Sequence, residues 1–213
     1  MKINDELINK LNSSISKDVK LSNYSWFNLG GPAEYLFKPK DKKQLIEFLT
    51  HNKKNKLDIT ILGAGSNTLI RDKGIKGVVI KLGSGFTDIR LLDNDILEVG
   101  AAALDRKISD FAKDKGIGNL EFLSCIPGSI GGAVIMNSGC YGNDISKILV
   151  SIRVINTKNC TEKEIKSEEI EFFYRGSNLP EGSIITSVKL RGKKENPQVI
   201  EKTQKKLIEK KKL

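Results

Sequence analysis

The stretch Ile126-Pro127-Gly128-Ser129-Ile130-Gly131-Gly132-Ala133, called here the proline–glycine segment, says most about the fold. With Gly139 and Gly142 it brings together five glycines and one proline. Glycine loses more backbone freedom on folding than any other residue, so this composition is costly unless something approaches the backbone closely. Two interpretations stand. Either a large flat ligand lies against bare backbone, or the segment is a sharply bent connector between two lobes.

A second glycine-rich element lies earlier in the chain. Gly63-Ala64-Gly65-Ser66-Asn67, the glycine loop, directly follows an apolar run at 59–62 that is predicted to be a buried strand. Such a loop can present backbone N–H groups to a phosphate, and Ser66 and Asn67 can add hydrogen bonds. It can equally be a plain turn. No third glycine opens a helix, so the Rossmann dinucleotide fingerprint is not met.

A third element combines aromatic residues with an arginine in Glu171-Phe172-Phe173-Tyr174-Arg175-Gly176-Ser177. An arginine held rigidly toward a cleft can use its planar fork to bind a carboxylate or to stabilise an enolate. The alternative is a surface arginine that lies on an aromatic ring.

Hydrophobic periodicity predicts a mixed α+β chain. Helices are expected at 1–20, 41–54 and 105–115 and from Pro197 onward, and strands at 34–38, 59–62, 78–82, 87–92, 96–100, 148–156, 163–166 and 183–191. Strand–helix alternation followed by hairpins is typical of an α+β protein. We interpret 1–82 and 83–195 as two lobes, followed by a basic helical stub at 196–213.

Composition narrows the function classes. The chain has 213 residues, 38% of them hydrophobic and 29% charged, as in ordinary globular proteins. The net charge of +10 raises the question of nucleic-acid binding, but nine basic and only three acidic residues lie between Arg191 and Leu213. More than half of the excess charge is therefore in the last segment, whereas a nucleic-acid binder spreads it over a folded face. We expect no nucleic-acid partner.

Cysteine and histidine content argues against a metal site. Cys125, Cys140 and Cys160 show no metal-ligand spacing, and His51 is the single histidine. Reduced structural thiols are expected. No apolar run reaches the length of a membrane span, and the first residues lack a signal-peptide core. These features predict a cytoplasmic protein with no membrane partner.

In their order along the chain, these elements resemble the UDP-N-acetylenolpyruvoylglucosamine reductase (UDP-N-acetylmuramate dehydrogenase) family. The resemblance runs from about Asn23 to Pro197. Besides the three elements above, it rests on the stretches 26–33, 62–69, 77–80 and 120–142. Each motif alone is weak, whereas the ordered set is specific.

The resemblance implies a two-lobed FAD-binding domain of the vanillyl-alcohol-oxidase (PCMH) type. Some relatives of this fold attach the flavin covalently through a histidine. Here His51 lies at a predicted helix end before the glycine loop, so non-covalent FAD is favoured. The implied cofactor-binding residues are Gly63, Ala64, Gly65, Ser66, Asn67, Ile126, Pro127, Gly128, Ser129, Gly131, Gly132, Ala133 and Asn137.

The resemblance also implies a reaction, the NADPH-driven reduction of UDP-N-acetylglucosamine enolpyruvate to UDP-N-acetylmuramate in peptidoglycan precursor synthesis. NADPH gives a hydride to the flavin, and the enolpyruvyl substrate then accepts it. Arg175 matches the family's catalytic arginine, which stabilises an enol-like intermediate through the substrate carboxylate. Tyr174 and Arg175 are the implied substrate-binding residues.

In this family a substrate-binding domain follows, with a proton-donating serine and a glutamate, and the sequence ends at Leu213 about where it should begin. We therefore expect impaired activity from this chain alone. The alternative is a non-catalytic flavin-binding module that needs a separate partner chain to supply that domain. An FAD-dependent oxidase of the same fold is disfavoured by the Tyr174-Arg175 motif.

Overall fold

The computed structural model describes residue 7, residues 10–11 and residues 13–212. Much of the helix predicted at 1–20 lies outside these residues. Residues 7 and 10 are helical, as predicted, and the Leu11 N–H donates to the Leu7 carbonyl at 2.9 Å. At Ile15–Lys20 the prediction is wrong, because this segment forms strand β1. It pairs antiparallel with the next strand, with Ile15 opposite Phe37. The ladder of inter-strand hydrogen bonds outweighs the helical spacing of the apolar residues.

The first sheet has four strands in the order β1-β2-β4-β3. These are β1 Ile15–Lys20, β2 Pro32–Phe37, β3 Ile59–Ile61 and β4 Ile75–Ile80. β4 runs parallel to both β2 and β3. The carboxyl ends of β2, β3 and β4 therefore lie along one edge of the sheet, and the glycine loop leaves from that edge.

Helix α1, Lys42–Asn55, connects β2 to β3 and confirms the helix predicted there. The Asp41 side chain caps it by accepting a 2.8 Å hydrogen bond from the Gln44 N–H. Its apolar stripe buries Leu45, Phe48 and Leu49 against the sheet.

The second sheet has five strands in the order β11-β10-β14-β6-β5, all antiparallel. Its strands are β5 Ile89–Leu91, β6 Ile96–Gly100, β10 Leu149–Asn156, β11 Glu162–Lys166 and β14 Ser183–Arg191. β5 and β6 form the predicted hairpin, and Asn94 and Asp95 in its turn both have positive φ, 59° and 58°. Asparagine and aspartate tolerate this region better than most residues.

The remaining strands are two residues long, and none of them was predicted. They are β7 Ile117–Gly118, β8 Gly139–Cys140, β9 Asn143–Asp144, β12 Phe172–Phe173, β13 Gly176–Ser177 and β15 Lys193–Lys194. They pair as β8 with β9, β12 with β13 and β15 with β7.

Within residues 13–212 there are three further α-helices: α2 Asp105–Asp114, α3 Ile130–Ile135 and α4 Pro197–Lys212. The helices predicted at 105–115 and from Pro197 are confirmed. The buried Gln204 side chain ties α4 to α2 by donating to the Ser109 carbonyl at 3.0 Å and to its hydroxyl at 2.8 Å. No helix among the described residues is both long and apolar enough to cross a membrane.

The apolar core is continuous between the two sheets. Ile155 and Ile184 of the second sheet pack in one cluster with Phe37 and Phe48 of the first sheet and α1. The larger cluster fills the space between the second sheet, α2 and α3. The division at 82/83 remains an interpretation, since apolar contacts cross it.

Candidate functional site

A cavity of about 870 Å³ opens where the carboxyl edge of the first sheet faces the proline–glycine segment. Residues from all three elements singled out in the sequence line it. They include Gly63, Ala64, Gly65, Ser66, Asn67, Ile126, Pro127, Gly128, Ser129, Gly131, Gly132, Ala133 and Arg175. The structure therefore gathers into one place segments that are more than a hundred residues apart in the chain.

The glycine loop keeps its backbone donors free. Within the described part of the chain, none of the five N–H groups from Gly63 to Asn67 has a protein acceptor. The loop is held from outside instead, because the Trp26 N–H donates to the Gly65 carbonyl at 3.1 Å. Gly65 has φ of 74°, and a side chain there would overlap the Tyr24 carbonyl. Free N–H groups on a constrained glycine loop form a site for an anion.

The proline–glycine segment is fastened to the protein. The Ile130 N–H donates to the Ala103 carbonyl at 3.0 Å, and the Gly131 N–H to the Ala101 carbonyl at 2.9 Å. A Cβ on Gly131 would lie 3.0 Å from that same Ala101 oxygen, so internal packing alone already favours glycine here. A Cβ on Gly132 would find only the Ser129 hydroxyl, at 3.7 Å. Gly132 is thus left bare on the cavity side.

The two glycine-rich elements face each other at close range. A Cβ on Gly63 would lie 2.8 Å from the Ser129 hydroxyl oxygen. A Cβ on Gly128 would lie 3.8 Å from the Ser66 hydroxyl oxygen. The absence of a side chain at Gly63 therefore allows the two segments to approach closely at the cavity.

Arg175 sits at the tip of the β12–β13 hairpin with φ of 63°. It lines the cavity, and its guanidinium carbon lies 5.7 Å from the Tyr174 ring centroid. The position of Arg175 thus agrees with both interpretations, since the residue reaches the cavity and also lies near an aromatic ring. Tyr174 itself is 90% exposed and is not among the cavity-lining residues.

Asn137 is the one residue of the implied cofactor set that lies outside the cavity lining. Its side-chain oxygen accepts a 3.0 Å hydrogen bond from the Ser146 N–H. The backbone at Asn137 has φ of 41°. In the structure this side chain shapes the turn after α3.

Besides Arg175, three lysine or aspartate residues line the cavity and were missed in the sequence: Lys81, Asp105 and Lys211, whose Nζ donates to the Cys125 carbonyl at 2.8 Å. Asp105 is fully buried, and neither carboxyl oxygen has a hydrogen-bond partner among the described residues. Burial raises the pKa of Asp105 to about 8.

Lys81 directly follows β4 and donates to the Gly63 carbonyl. Burial, and after it nearby Lys38, lowers the pKa of Lys81. Only the position of Lys81 just after a buried strand could have drawn attention to it.

Two thiols also line the cavity, those of Cys125 and Cys140. Cys140 Sγ donates to the Phe122 carbonyl at 3.5 Å. Burial, and after it the neighbouring Cys125, raises the pKa of the Cys140 thiol to about 11. A thiol that stays protonated is a poor nucleophile and a poor metal ligand. Across the described residues, no group of three histidine, cysteine, aspartate or glutamate side chains could hold a metal ion.

These features fit FAD. The volume is that of a cavity for a large ligand. Five free N–H groups with a lysine beside them suit a pyrophosphate, and the bare backbone at Gly132 suits close contact with a flat ring.

Comparison with known proteins agrees with this fit. The family model described as "FAD binding domain" matches residues 33–163. The UDP-N-acetylenolpyruvoylglucosamine reductase of Pelagibacter ubique is 45% identical over 194 residues, covering 91% of this chain and 63% of the relative. The chain thus spans about 63% of that relative's length.

Two solved structures extend the comparison. The UDP-N-acetylenolpyruvylglucosamine reductase of Thermus caldophilus superposes with a TM-score of 0.82 and 30% identity, covering 92% of this chain and 69% of that one. Alkyldihydroxyacetonephosphate synthase superposes with a TM-score of 0.64 and 13% identity, covering 91% and 44%. The second likeness concerns the fold alone. The fold is the α+β FAD-binding fold of the vanillyl-alcohol-oxidase type, as predicted.

Proposed function

Because the chain belongs to the UDP-N-acetylenolpyruvoylglucosamine reductase family, we propose that it binds FAD non-covalently for the NADPH-driven reduction of a UDP-linked enolpyruvyl sugar. The product is UDP-N-acetylmuramate, a precursor of peptidoglycan. We place this reaction in the cytoplasm, with the UDP-sugar as the partner molecule.

The observation that carries the proposal is the cavity itself. The glycine loop offers N–H groups that the protein does not use, and the proline–glycine segment offers bare backbone opposite them. An anionic cofactor with a flat ring would accept hydrogen bonds from the free N–H groups and would lie with its ring against the bare backbone. Gly63–Asn67 would hold the pyrophosphate, and Ile126–Ala133 would surround the ring system.

When bound, FAD supplies the ability to take a hydride from NADPH and pass it to a carbon–carbon double bond. The residues of this chain then bind and orient. Arg175 lies where the cavity opens toward the β12–β13 hairpin, and its fixed charge can bind the substrate carboxylate. Hydride addition to one carbon of the double bond would place negative charge on that carboxylate, and a pre-positioned guanidinium stabilises it until the other carbon takes up a proton, which in the family comes from a serine of the following domain. Tyr174 beside it would contact the substrate from the exposed side.

The test is a spectrum followed by two additions. The purified chain is mixed with FAD, freed of excess by gel filtration, and its absorbance is recorded anaerobically. We expect flavin bands that bleach on adding NADPH. The UDP-linked enolpyruvyl substrate is added next, and the return of the oxidised bands measures the second half of the reaction.

Three outcomes separate the hypotheses. Bleaching followed by recovery supports the full reductase activity in this chain. Bleaching without recovery favours a flavin-binding module that needs a separate partner chain for the substrate step. Absence of flavin bands after FAD is added would contradict the proposal.

A further inference from the structure

Lys81 lies at the carboxyl end of a central strand of the first sheet, next to the glycine loop and the cavity. It directly follows β4, lines the cavity and donates from Nζ to the Gly63 carbonyl. This contact fixes the first residue of the loop. One bond leaves two of the three N–H donors of an ammonium group for another acceptor.

The charge of Lys81 is not balanced by the protein. Within residues 13–212, neither Lys81 nor its neighbour Lys38 forms an ion pair with a carboxylate. Lys38 donates instead to the Tyr24 hydroxyl at 2.7 Å and lies over the same ring at 4.6 Å. Burial and Lys38 both oppose the charge on Lys81, as the lowered pKa of Lys81 reflects. Two neighbouring cations without an anion are unfavourable, and an incoming anion relieves them.

The remaining groups around this point are donors or neutral. The glycine loop, whose Gly63 carbonyl accepts from Lys81, carries N–H groups without a protein acceptor, and the Ser129 hydroxyl oxygen would lie 2.8 Å from a Cβ on Gly63. Asp105, which also lines the cavity and whose Oδ2 would lie 2.9 Å from a Cβ on Gly128, is neutral near pH 7 because burial raises its pKa to about 8. The environment of Lys81 therefore suits a ligand oxygen that carries negative charge.

We propose that Lys81 is the cationic ligand of the FAD pyrophosphate and that it holds the glycine loop in its binding conformation. This inference rests on the proposed FAD binding. A charged hydrogen bond to a phosphate is shorter and stronger than one between neutral groups. Lys81 thus adds a charged hydrogen bond to the phosphate, which the loop would otherwise bind only through its backbone N–H groups.

The competing explanation is that Lys81 serves only to hold the Gly63 carbonyl. Two substitutions separate these roles. Lys81→Gln keeps a side-chain donor for the carbonyl but removes the charge, whereas Lys81→Arg keeps the charge. Lys76→Gln is the matched control, because Lys76 is exposed, lies on β4 and is outside the cavity lining.

The experiment measures dissociation constants of FAD, FMN and riboflavin by flavin fluorescence at low and high salt. We expect Lys81→Gln to weaken FAD binding by about tenfold or more and to make it less sensitive to salt. FMN, with one phosphate, loses affinity too, while riboflavin, with none, is unaffected. Lys81→Arg stays within about threefold of the unmodified chain, and Lys76→Gln binds all three flavins as before.

Equal affinity of Lys81→Gln and the unmodified chain for FAD, with the same salt dependence, would overturn the assignment. So would an equal loss for riboflavin, because the effect would then not depend on phosphate. Thermal unfolding of each variant shows whether a loss reflects misfolding. If Lys81→Gln does not fold, the unmodified chain decides: an FAD dissociation constant that does not rise with salt would overturn the assignment. If the unmodified chain binds no FAD, the proposed function fails and this assignment with it.

Discussion

The glycine loop and the proline–glycine segment have similar compositions but use their glycines differently. In the loop, no N–H group from Gly63 to Asn67 is used by the described part of the protein. In the segment, Ile130 and Gly131 donate to Ala103 and Ala101, and Gly131 packs against the Ala101 carbonyl. The loop is thus shaped to receive a ligand, whereas much of the segment is shaped by its own protein. The ligand and connector interpretations each describe part of the segment.

The largest effect is expected from Gly65→Ala in the glycine loop. Gly65 has φ of 74°, and its new methyl group would overlap the Tyr24 carbonyl. We expect a loss of about 3 kcal/mol in the free energy of unfolding and no measurable FAD binding. Urea unfolding and a flavin titration measure the two.

Gly142→Ala is the control, because Gly142 also has positive φ, 84°, but nothing lies within 4 Å of the added atom. It should cost only about 1 kcal/mol. If Gly65→Ala and Gly142→Ala lower the free energy of unfolding equally, the close approach of Gly65 to Tyr24 does not contribute to stability.

The next largest effect is expected at Asp105, next to Gly128 of the proline–glycine segment. Burial raises the pKa of Asp105 from 3.8 to about 8, so at intermediate pH the folded chain keeps a proton that the unfolded chain releases. The free energy of unfolding should therefore fall as the pH rises from about 4 to about 8, and level off above. Asp105→Asn removes this dependence and should be more stable at pH 8 by about 2–4 kcal/mol, with an unpartnered buried amide offsetting part of the gain.

Urea unfolding of both proteins at pH 4, 6 and 8 tests the prediction. At pH 4 the Asp105→Asn variant should be no more stable than the unmodified chain, because the gain is absent there while the amide stays buried without a partner. A difference that stays constant over the three pH values would show that Asp105 does not hold a proton in the folded chain.

A smaller contrast is expected between two glycines of the same segment. A Cβ on Gly128 would lie 2.9 Å from Asp105 Oδ2, so Gly128→Ala should lower the free energy of unfolding by about 1–2 kcal/mol. Gly132 has room, so Gly132→Ala should change stability by less than about 0.5 kcal/mol. It should instead weaken FAD binding severalfold by placing a methyl group in the cavity. The opposite ranking in either measurement would reject this division of roles.

The smallest effect on folding is expected at the hairpin tip. Arg175→Lys keeps the charge but not the planar fork, and should change the free energy of unfolding by less than about 0.5 kcal/mol. FAD binding and bleaching by NADPH should persist. The absorbance change that the enolpyruvyl substrate induces in the bound flavin should require about tenfold more substrate. An unchanged titration would remove Arg175 from substrate binding.

Much of the fold followed from local signals in the sequence. Asp41 marked the start of α1, and the Asp93-Asn94-Asp95 turn located the β5–β6 hairpin, because capping and turn chemistry act over a few residues. Strand β1 was mistaken for helix since its partner β2 lies elsewhere in the chain. The two-residue strands carry no periodic signal at all.

The site was predictable where glycines mark it and not where packing creates it. The glycine loop and most of the proline–glycine segment line the cavity. Lys81 and Asp105 were missed because an ordinary lysine and an ordinary helix-start aspartate become unusual only through burial. Asn137 belonged to the motif but turns to Ser146 instead of the cavity.

FAD binding at the glycine loop is tested by titrating the unmodified chain with FAD, followed by gel filtration and by denaturation of the flavin-containing fraction. Flavin should coelute with the protein and be released on denaturation, and Gly65→Ala should elute without it. Protein that elutes without flavin, or flavin that stays attached after denaturation, would contradict non-covalent FAD binding at the glycine loop.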